Sequence, residues 1–518
     1  MARSAQPVSA TPGIVAATFI VAAVLAAFLA IGSRVEGTTG LRAAEWQAVR
    51  FTVAQAFFSA LISVVPAVPV ARALARRRVP GHALLVTLLG APFILPVIVA
   101  VLGLLAIFGR NGWLNVGLGA VGLPEVSIYG AHGVVLAHVF FNMPLATRLI
   151  LQGWQAIPAE QFRLIAQLGL PPSVVFRTVE WPMLRQVVPG AFALIFVICL
   201  TSFAVALTLG GGPRATTIEL AIFQAFRFDF DLGRAAVLSL LQLAVAGGAA
   251  LIALWVLPPL VVQRGQDRLP QRWDARGVGL RVLDAAWIAF AAGFLLLPLA
   301  SVVIAGLGGL MDMPSVVWRS AWTSVWVAAL STGLLVALAL PLTAWLAQVR
   351  HGGMESVTLL GLAASPLMLG TGWFILIFPF VNPASLALPI TASVNALMAL
   401  PFAVRILLPP MRQVMTDYGR LSAGLGLRGW PFWRIVLLPR LRPPLGFAAG
   451  LAAALSVGDL GVVALFADPD VATLPLQMYR LLGSYRTDAA AGAALLLLAL
   501  ALGMFWICDR WGRHRDPG

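Results

Sequence analysis

The sequence predicts an all-α polytopic membrane protein of about twelve transmembrane helices, arranged as two like halves. Three observations carry that expectation. Of 518 residues, 60% are hydrophobic and 11% charged, and the mean hydropathy is +0.92. A water-soluble domain cannot keep that much apolar surface from solvent, so lipid must surround most of the chain. Second, the apolar residues gather into segments near the ~20 residues that a helix needs to cross a bilayer. Third, the stretch RLIAQLGLPPSVVFRTVEWPMLR at 163–185 returns as RLSAGLGLRGWPFWRIVLLPRLR at 420–442. The two align without a gap at an offset of 257, and Arg163, Leu164, Ala166, Leu168, Gly169, Leu170, Arg177, Val179, Pro182, Leu184 and Arg185 meet identical residues.

Taken in order, a polar start at 1–13 leads into an apolar run at 14–31. That run is too long, and its flank too weakly basic, for a cleaved signal peptide, so it is expected to stay as the first span. Further spans are expected at 52–71, 83–108, 131–151, 187–209 and 235–262. A second set follows at 281–306, 320–347, 355–380, 385–408, 443–466 and 489–507. Only helices satisfy their own backbone in hydrocarbon over such lengths. Pro66, Pro92, Pro96 and Pro366 fall inside these runs, where neighbouring helices or water can satisfy the freed carbonyls. Ser59, Pro69, Leu74 and Ala75 match Ser331, Pro341, Leu346 and Ala347 at an offset of 272, and Pro213 and Thr217 match Pro469 and Thr473 at 256. The expected division is therefore a six-span half at 1–262, a cytoplasmic linker at 263–280 and a second half at 281–518, in parallel orientation.

All 35 basic residues are Arg, with no Lys. The chain thus lacks the Lys that a P-loop places on phosphates and the amine that Schiff-base chemistry needs, and it cannot be a P-loop ATPase by itself. Cys199 and Cys508 lie far apart within apolar runs, as inert packing residues do. His132 and His138 are off a shared helical face, so no metal site or cofactor is expected. With the N-terminus inside, 25 Arg fall on the inner side and 10 on the outer. The positive-inside rule then places both termini and both repeat copies in the cytoplasm. The net charge of +15 reflects this asymmetry and calls for no nucleic acid.

Within each repeat copy, Gly169 and Gly426 fall where a helix C-cap needs positive φ. Pro182 and Pro439, thirteen residues on, are expected to stop the helix and turn the chain towards the next span. The result would be an Arg-rich helix–turn–helix on the membrane surface. It could contact anionic headgroups. A fixed Gly-to-Pro spacing instead suits a rigid cleft in a partner, and two copies suit a partner with two equivalent sites.

These stretches resemble the cytoplasmic loops of ABC-importer permeases, whose pattern is EAA, then Gly, then a downstream Pro. Gly and Pro keep the family spacing in both copies, whereas the EAA positions read Arg163-Leu164-Ile165 and Arg420-Leu421-Ser422. The resemblance implies two fused type I permease halves with coupling loops at 157–185 and 411–442, seated on two copies of a cytoplasmic ATPase. Carried over residue by residue, it assigns coupling to Arg163, Leu168, Gly169, Arg177 and Pro182, and to Arg420, Leu425, Gly426, Arg434 and Pro439. It also implies a periplasmic substrate-binding protein. The segment GGGPRATTIELAIFQAFRFDFDLGRAAVLSLLQ at 210–242, with the fused layout, is similar to permeases of bacterial thiamine and thiamine diphosphate importers. Fused ferric-iron permeases share the architecture and are the alternative.

Among single residues, Asp459 is expected near the outer end of its span, with Ser202 as its repeat counterpart. An acid there either lines a path for a cation or caps backbone. Glu219, Asp229 and Asp231 are expected on the outer side, meeting a binding protein or solvent. Trp113, Phe226, Phe228 and Trp373 could hold a cation or form an interfacial aromatic belt; Trp373 joins Asp459 and Ser202 as a candidate pathway residue. The rivals are an ion-coupled secondary transporter, which needs several midplane acids or His, and a membrane enzyme, which needs a catalytic constellation. Neither set is visible, and no catalytic residue is assigned.

Overall fold

A computed structural model describes residues 8–35, 40–77, 79–90, 94–210, 212–256, 277–349, 365–466 and 472–513. These residues form helices and connections, and no strand occurs among them. Eleven helices are long and apolar enough to cross a membrane, and a twelfth, Pro366–Ile377, is shorter. The protein is an all-α polytopic membrane protein. The expected linker lies almost wholly outside the described residues.

The chain begins with α1 (Thr11–Gly32) and α2 (Ala43–Arg76). The single span expected at 83–108 is divided into α3 (His82–Leu88) and α4 (Val97–Phe108). Pro96 is the N-cap of α4, a place that suits proline because the first N–H groups of a helix have no intrahelical partner to lose. Then come α5 (Trp113–Ala120), α6 (Ala131–Gln155), α7 (Ala159–Gln167) and α8 (Pro172–Val175). A π turn at Phe176–Glu180 leads into α9 (Trp181–Leu200), α10 (Ala204–Leu209), α11 (Ile218–Arg227) and α12 (Leu232–Val256).

The second set runs α13 (Val278–Gly309), α14 (Ser315–Gln348) and α15 (Pro366–Ile377). It continues with α16 (Ala387–Gly424), α17 (Trp430–Phe432), a π turn at Trp433–Leu437 and α18 (Leu438–Val457). It closes with α19 (Gly461–Phe466), α20 (Leu474–Gly483) and α21 (Thr487–Arg513). The described part of the span expected at 355–380 is α15. The spans expected at 187–209 and 443–466 each contain a break, at 201–203 and 458–460.

The two sets repeat one another in their bonds as well as their order. The Thr52 hydroxyl of α2 accepts the Ile218 N–H at 2.9 Å, and the Ser324 hydroxyl of α14 accepts the Leu474 N–H at 2.8 Å. Each hydroxyl thereby satisfies a donor that a helix N-terminus leaves open. The first helices also cross between the sets. Here α1 packs on α14 and α15, while α13 packs on α2 and α4 as well as on α21 of its own set. Small residues permit both crossings: a Cβ on Gly372 would lie 2.6 Å from the Ala27 carbonyl oxygen, and one on Gly103 would lie 2.5 Å from that of Pro298.

The copies differ where α9 meets α12. In the second copy Gly446 and Gly450 of α18 press against the backbone of α21, where a Cβ on each would lie 2.6 Å from the Cys508 carbonyl oxygen and 2.8 Å from that of Phe505. Their counterparts at an offset of 257 are the bulkier Pro189 and Ala193. There α2, α9 and α12 border an open apolar groove of about 770 Å³, lined by Phe57, Phe192, Phe196 and smaller apolar residues.

Candidate functional site

Two equivalent loops stand out on the surface. In the first, α7 ends at Gly169, whose φ is +61°; in the second, α16 ends at Gly426, with φ +70°. Leu170 and Leu427 then donate their N–H groups back to the carbonyls of Ile165 and Ser422, at 3.3 and 2.9 Å. Both helices are thus closed by the left-handed glycine that the repeat predicts. Leu164 and Leu168 are 57% and 62% exposed, and their counterparts Leu421 and Leu425 are 60% and 66% exposed. Arg163, Arg177, Pro182, Arg420, Arg434 and Pro439 are exposed as well. Behind the first loop, Phe162, Ile165, Val175 and Val179 pack into a small core. A larger one, including Met411, Val414, Phe432 and Leu441, backs the second. Each loop is therefore a supported element offering two leucines and several arginines outward.

The prolines behave otherwise than expected. Pro182 and Pro439 lie in the first turn of α9 and α18, and the chain stays helical across them, through 173–200 and 430–457. A proline ring would strike the carbonyl four residues back in a regular helix. The π turns just before both prolines widen the ladder and relieve that clash. The second arm of each loop is consequently the start of the following span.

Sequence reasoning missed the tie that holds the first loop. Glu180 is fully buried and forms ion pairs with Arg72 at 2.6 Å and Arg76 at 3.8 Å, and Arg72 lies over the Phe176 ring. Arg72 and Arg76, one turn apart at the end of α2, were the one signal in the sequence; the burial of Glu180 had none. In the second copy Leu437 and Ala344 stand at the positions of Glu180 and Arg72, and both join one apolar cluster. Arg77 pairs with Asp284 at 2.7 Å, and Arg234 pairs with Glu45. Each of these pairs joins residues that the charge pattern sorts to the same side.

Other expected site residues separate. Ser202 and Asp459 occupy equivalent breaks, between α9 and α10 and between α18 and α19. One Asp459 oxygen accepts the Gly461 N–H at 3.1 Å, and the Val462 backbone and the Asn395 amide lie beside the carboxylate. The Trp373 indole N–H donates to the Ala23 carbonyl at 3.0 Å, which gives this residue a role in holding α15 on α1. Asp229 is exposed, and exposed Asp231 caps α12 by accepting the Arg234 N–H at 2.8 Å.

Glu219 corrects the expected outer-surface placement. It is fully buried in the first turn of α11, where the polar groups beside its carboxyl are the neutral Ser365 hydroxyl and Gln242 amide. Burial pushes its pKa up to about 8, so the carboxyl group holds its proton at neutral pH. Phe226 is buried too, edge-on to Phe374 at 4.6 Å, and is no belt residue. Trp113 and Phe228 are exposed, as a belt requires.

Two repeated sets of membrane helices, with first helices that cross between the sets and paired surface loops after left-handed glycines, have the layout of two like membrane halves fused in one chain, and the relatives below make that layout a transport permease. No family model matches the sequence. Curated relatives do. The thiamine transport system permease protein of Salmonella typhimurium is 42% identical, covering 97% of this chain and 97% of its own. That of Escherichia coli is 40% identical, over 96% of each. That of Haemophilus influenzae is 35% identical, over 87% of this chain and 86% of its own. The chain belongs to this family of fused ABC-transporter permeases. A probable sulfate transport system permease protein from Helicosporidium is 26% identical over 42% of this chain, yet covers 79% of its own length. A permease near half the size thus aligns with less than half of this one.

Proposed function

We propose that this chain is the membrane-spanning subunit of an ATP-driven importer that carries thiamine, and thiamine phosphates, across the bacterial inner membrane. The observation that carries the proposal is the near full-length similarity to thiamine transport system permeases. Residues 1–262 and 281–518 act as its halves, joined by 263–280, with both termini in the cytoplasm.

Two copies of a cytoplasmic ATPase seat the loops at 157–185 and 411–442. Leu168 and Leu425 enter apolar clefts, and Arg163, Arg177, Arg420 and Arg434 meet acidic rims. ATP hydrolysis takes place on that partner, and this chain performs no covalent chemistry. Closure of the ATPase pair draws the loops together, and the continuous helices through Pro182 and Pro439 carry the movement into the membrane. A periplasmic binding protein delivers the substrate at the opposite face, where Asp229 is exposed.

Uptake of radiolabelled thiamine by cells lacking and regaining the chain tests the substrate. Restored uptake that excess ferric iron leaves unchanged is expected. Iron uptake restored in its place, with no thiamine accumulated, would assign the chain to the ferric-iron class.

A further inference from the structure

We propose that Glu219 and Asp459 are the paired carboxyl groups of an organic-cation site at the seam between the halves, walled by phenylalanines from both. The proposal rests on the reading of thiamine, which carries a permanent positive charge, as the transported solute. Glu219 is fully enclosed, yet no ion pair reaches it among the described residues, and the polar groups beside its carboxyl are the neutral Ser365 hydroxyl and Gln242 amide. Burying an acid in this way is unfavourable unless a counter-ion arrives or the acid stays protonated. Glu219 does the second here, with its pKa pushed up to about 8 by burial.

The two acids flank the same element. Ser365, beside Glu219, is the N-cap of α15. Pro366 follows it, and a Cβ placed on Gly461 would lie 4.0 Å from Pro366, 3.5 Å from the Asp459 carboxylate and 3.8 Å from the Phe203 ring. Asp459 accepts the Gly461 N–H, lies beside the Val462 backbone and the Asn395 amide, and has no ion-pair partner among the described residues. Both helix breaks meet here, as Phe203 ends one and Gly461 follows the other.

Aromatic rings close the site. Phe203 stands 5.2 Å from Phe223, and Phe374 stands 4.6 Å from Phe226 and 5.7 Å from Phe466. Phe203, Phe223 and Phe226 come from the first half, Phe374 and Phe466 from the second. Ring faces attract an organic cation and stack on a planar heterocycle. Parting of the halves exposes both acids together, and a cation entering between them supplies the charge that Glu219 lacks.

The test uses the full complex in vesicles, with two labelled substrates: thiamine, and a neutral isostere in which carbon replaces the thiazolium nitrogen. The wild type should prefer the cation at least tenfold in kcat/KM. Glu219→Gln with Asp459→Asn should bring that ratio close to one, mainly by raising KM for thiamine, while Glu219→Asp keeps part of the preference. Assembled variants that retain the wild-type ratio overturn the site. Photocrosslinking of the wild-type complex with an azido derivative of thiamine gives a second readout that needs no variant. Adducts at 203–226 or 365–374 are expected, and adducts confined to other segments overturn the proposal. A wild-type complex that carries neither compound refutes the substrate assignment instead.

Discussion

Replacing both Gly169 and Gly426 with Val is expected to leave the chain in the membrane and abolish ATP-driven uptake. The two glycines hold φ values of +61° and +70°, and nothing lies within 4 Å of a Cβ built on either. The penalty is therefore conformational, with no steric clash to add to it. A left-handed backbone costs an ordinary L-residue roughly 1–2 kcal/mol, and a β-branched residue fits that region least well. Ala in either position should weaken coupling mildly. Val should unwind the end of α7 or α16 and turn the leucine pair away from the partner. The single variants should differ, because Gly429 supplies a further left-handed residue in the second loop, at φ +62°, where the first has Pro172. Copurification of the ATPase and thiamine uptake, at matched membrane levels, give the readout. Full coupling in the double Val variant would leave the loops as headgroup-binding surface helices.

The second large effect is expected at Glu180. Glu180→Ala removes the carboxylate that both Arg72 and Arg76 face. Breaking one member of a buried ion pair leaves a charge uncompensated and costs about 3–5 kcal/mol. The thermal midpoint of the purified chain should fall sharply, and the first loop should lose its hold on α2. The second copy suggests the cure. At the positions of Glu180, Arg72 and Arg76 it carries Leu437, Ala344 and Gln348. Glu180→Leu with Arg72→Ala and Arg76→Gln imitates that apolar arrangement and should recover most of the lost stability. A triple variant as unstable as Glu180→Ala would show that the charges serve more than packing between loop and helix.

Much of the architecture was legible because membrane helices obey strong constraints. Length and apolarity located the long spans, and the gapless repeat exposed the loops and both left-handed glycines. Prolines were harder. Their effect depends on the hydrogen-bond register around them: Pro96 caps the start of a helix, whereas the π turns let Pro182 and Pro439 remain within continuous ones. The crossing of α1 and α13 between the sets left no mark in the apolar pattern, since Gly103 and Gly372 are ordinary residues of a membrane helix until their partners are known. Acids misled for a related reason. Glu219 lies in a segment rich in turns and charge that reads as an outer loop, while the fold carries its first helical turn into the interior. The matching hydroxyls of Thr52 and Ser324 were within reach, as they share the offset of 272 with Ser59 and Ser331.

The most direct test of a permease that lends its membrane path to a separate motor is reconstitution from purified parts. Vesicles containing the chain, the ATPase and the binding protein should accumulate labelled thiamine when ATP is supplied on the ATPase side. Vesicles containing the chain alone should accumulate none, with ATP or with an imposed ion gradient. Gradient-driven uptake by the chain alone would contradict this and make it a secondary transporter.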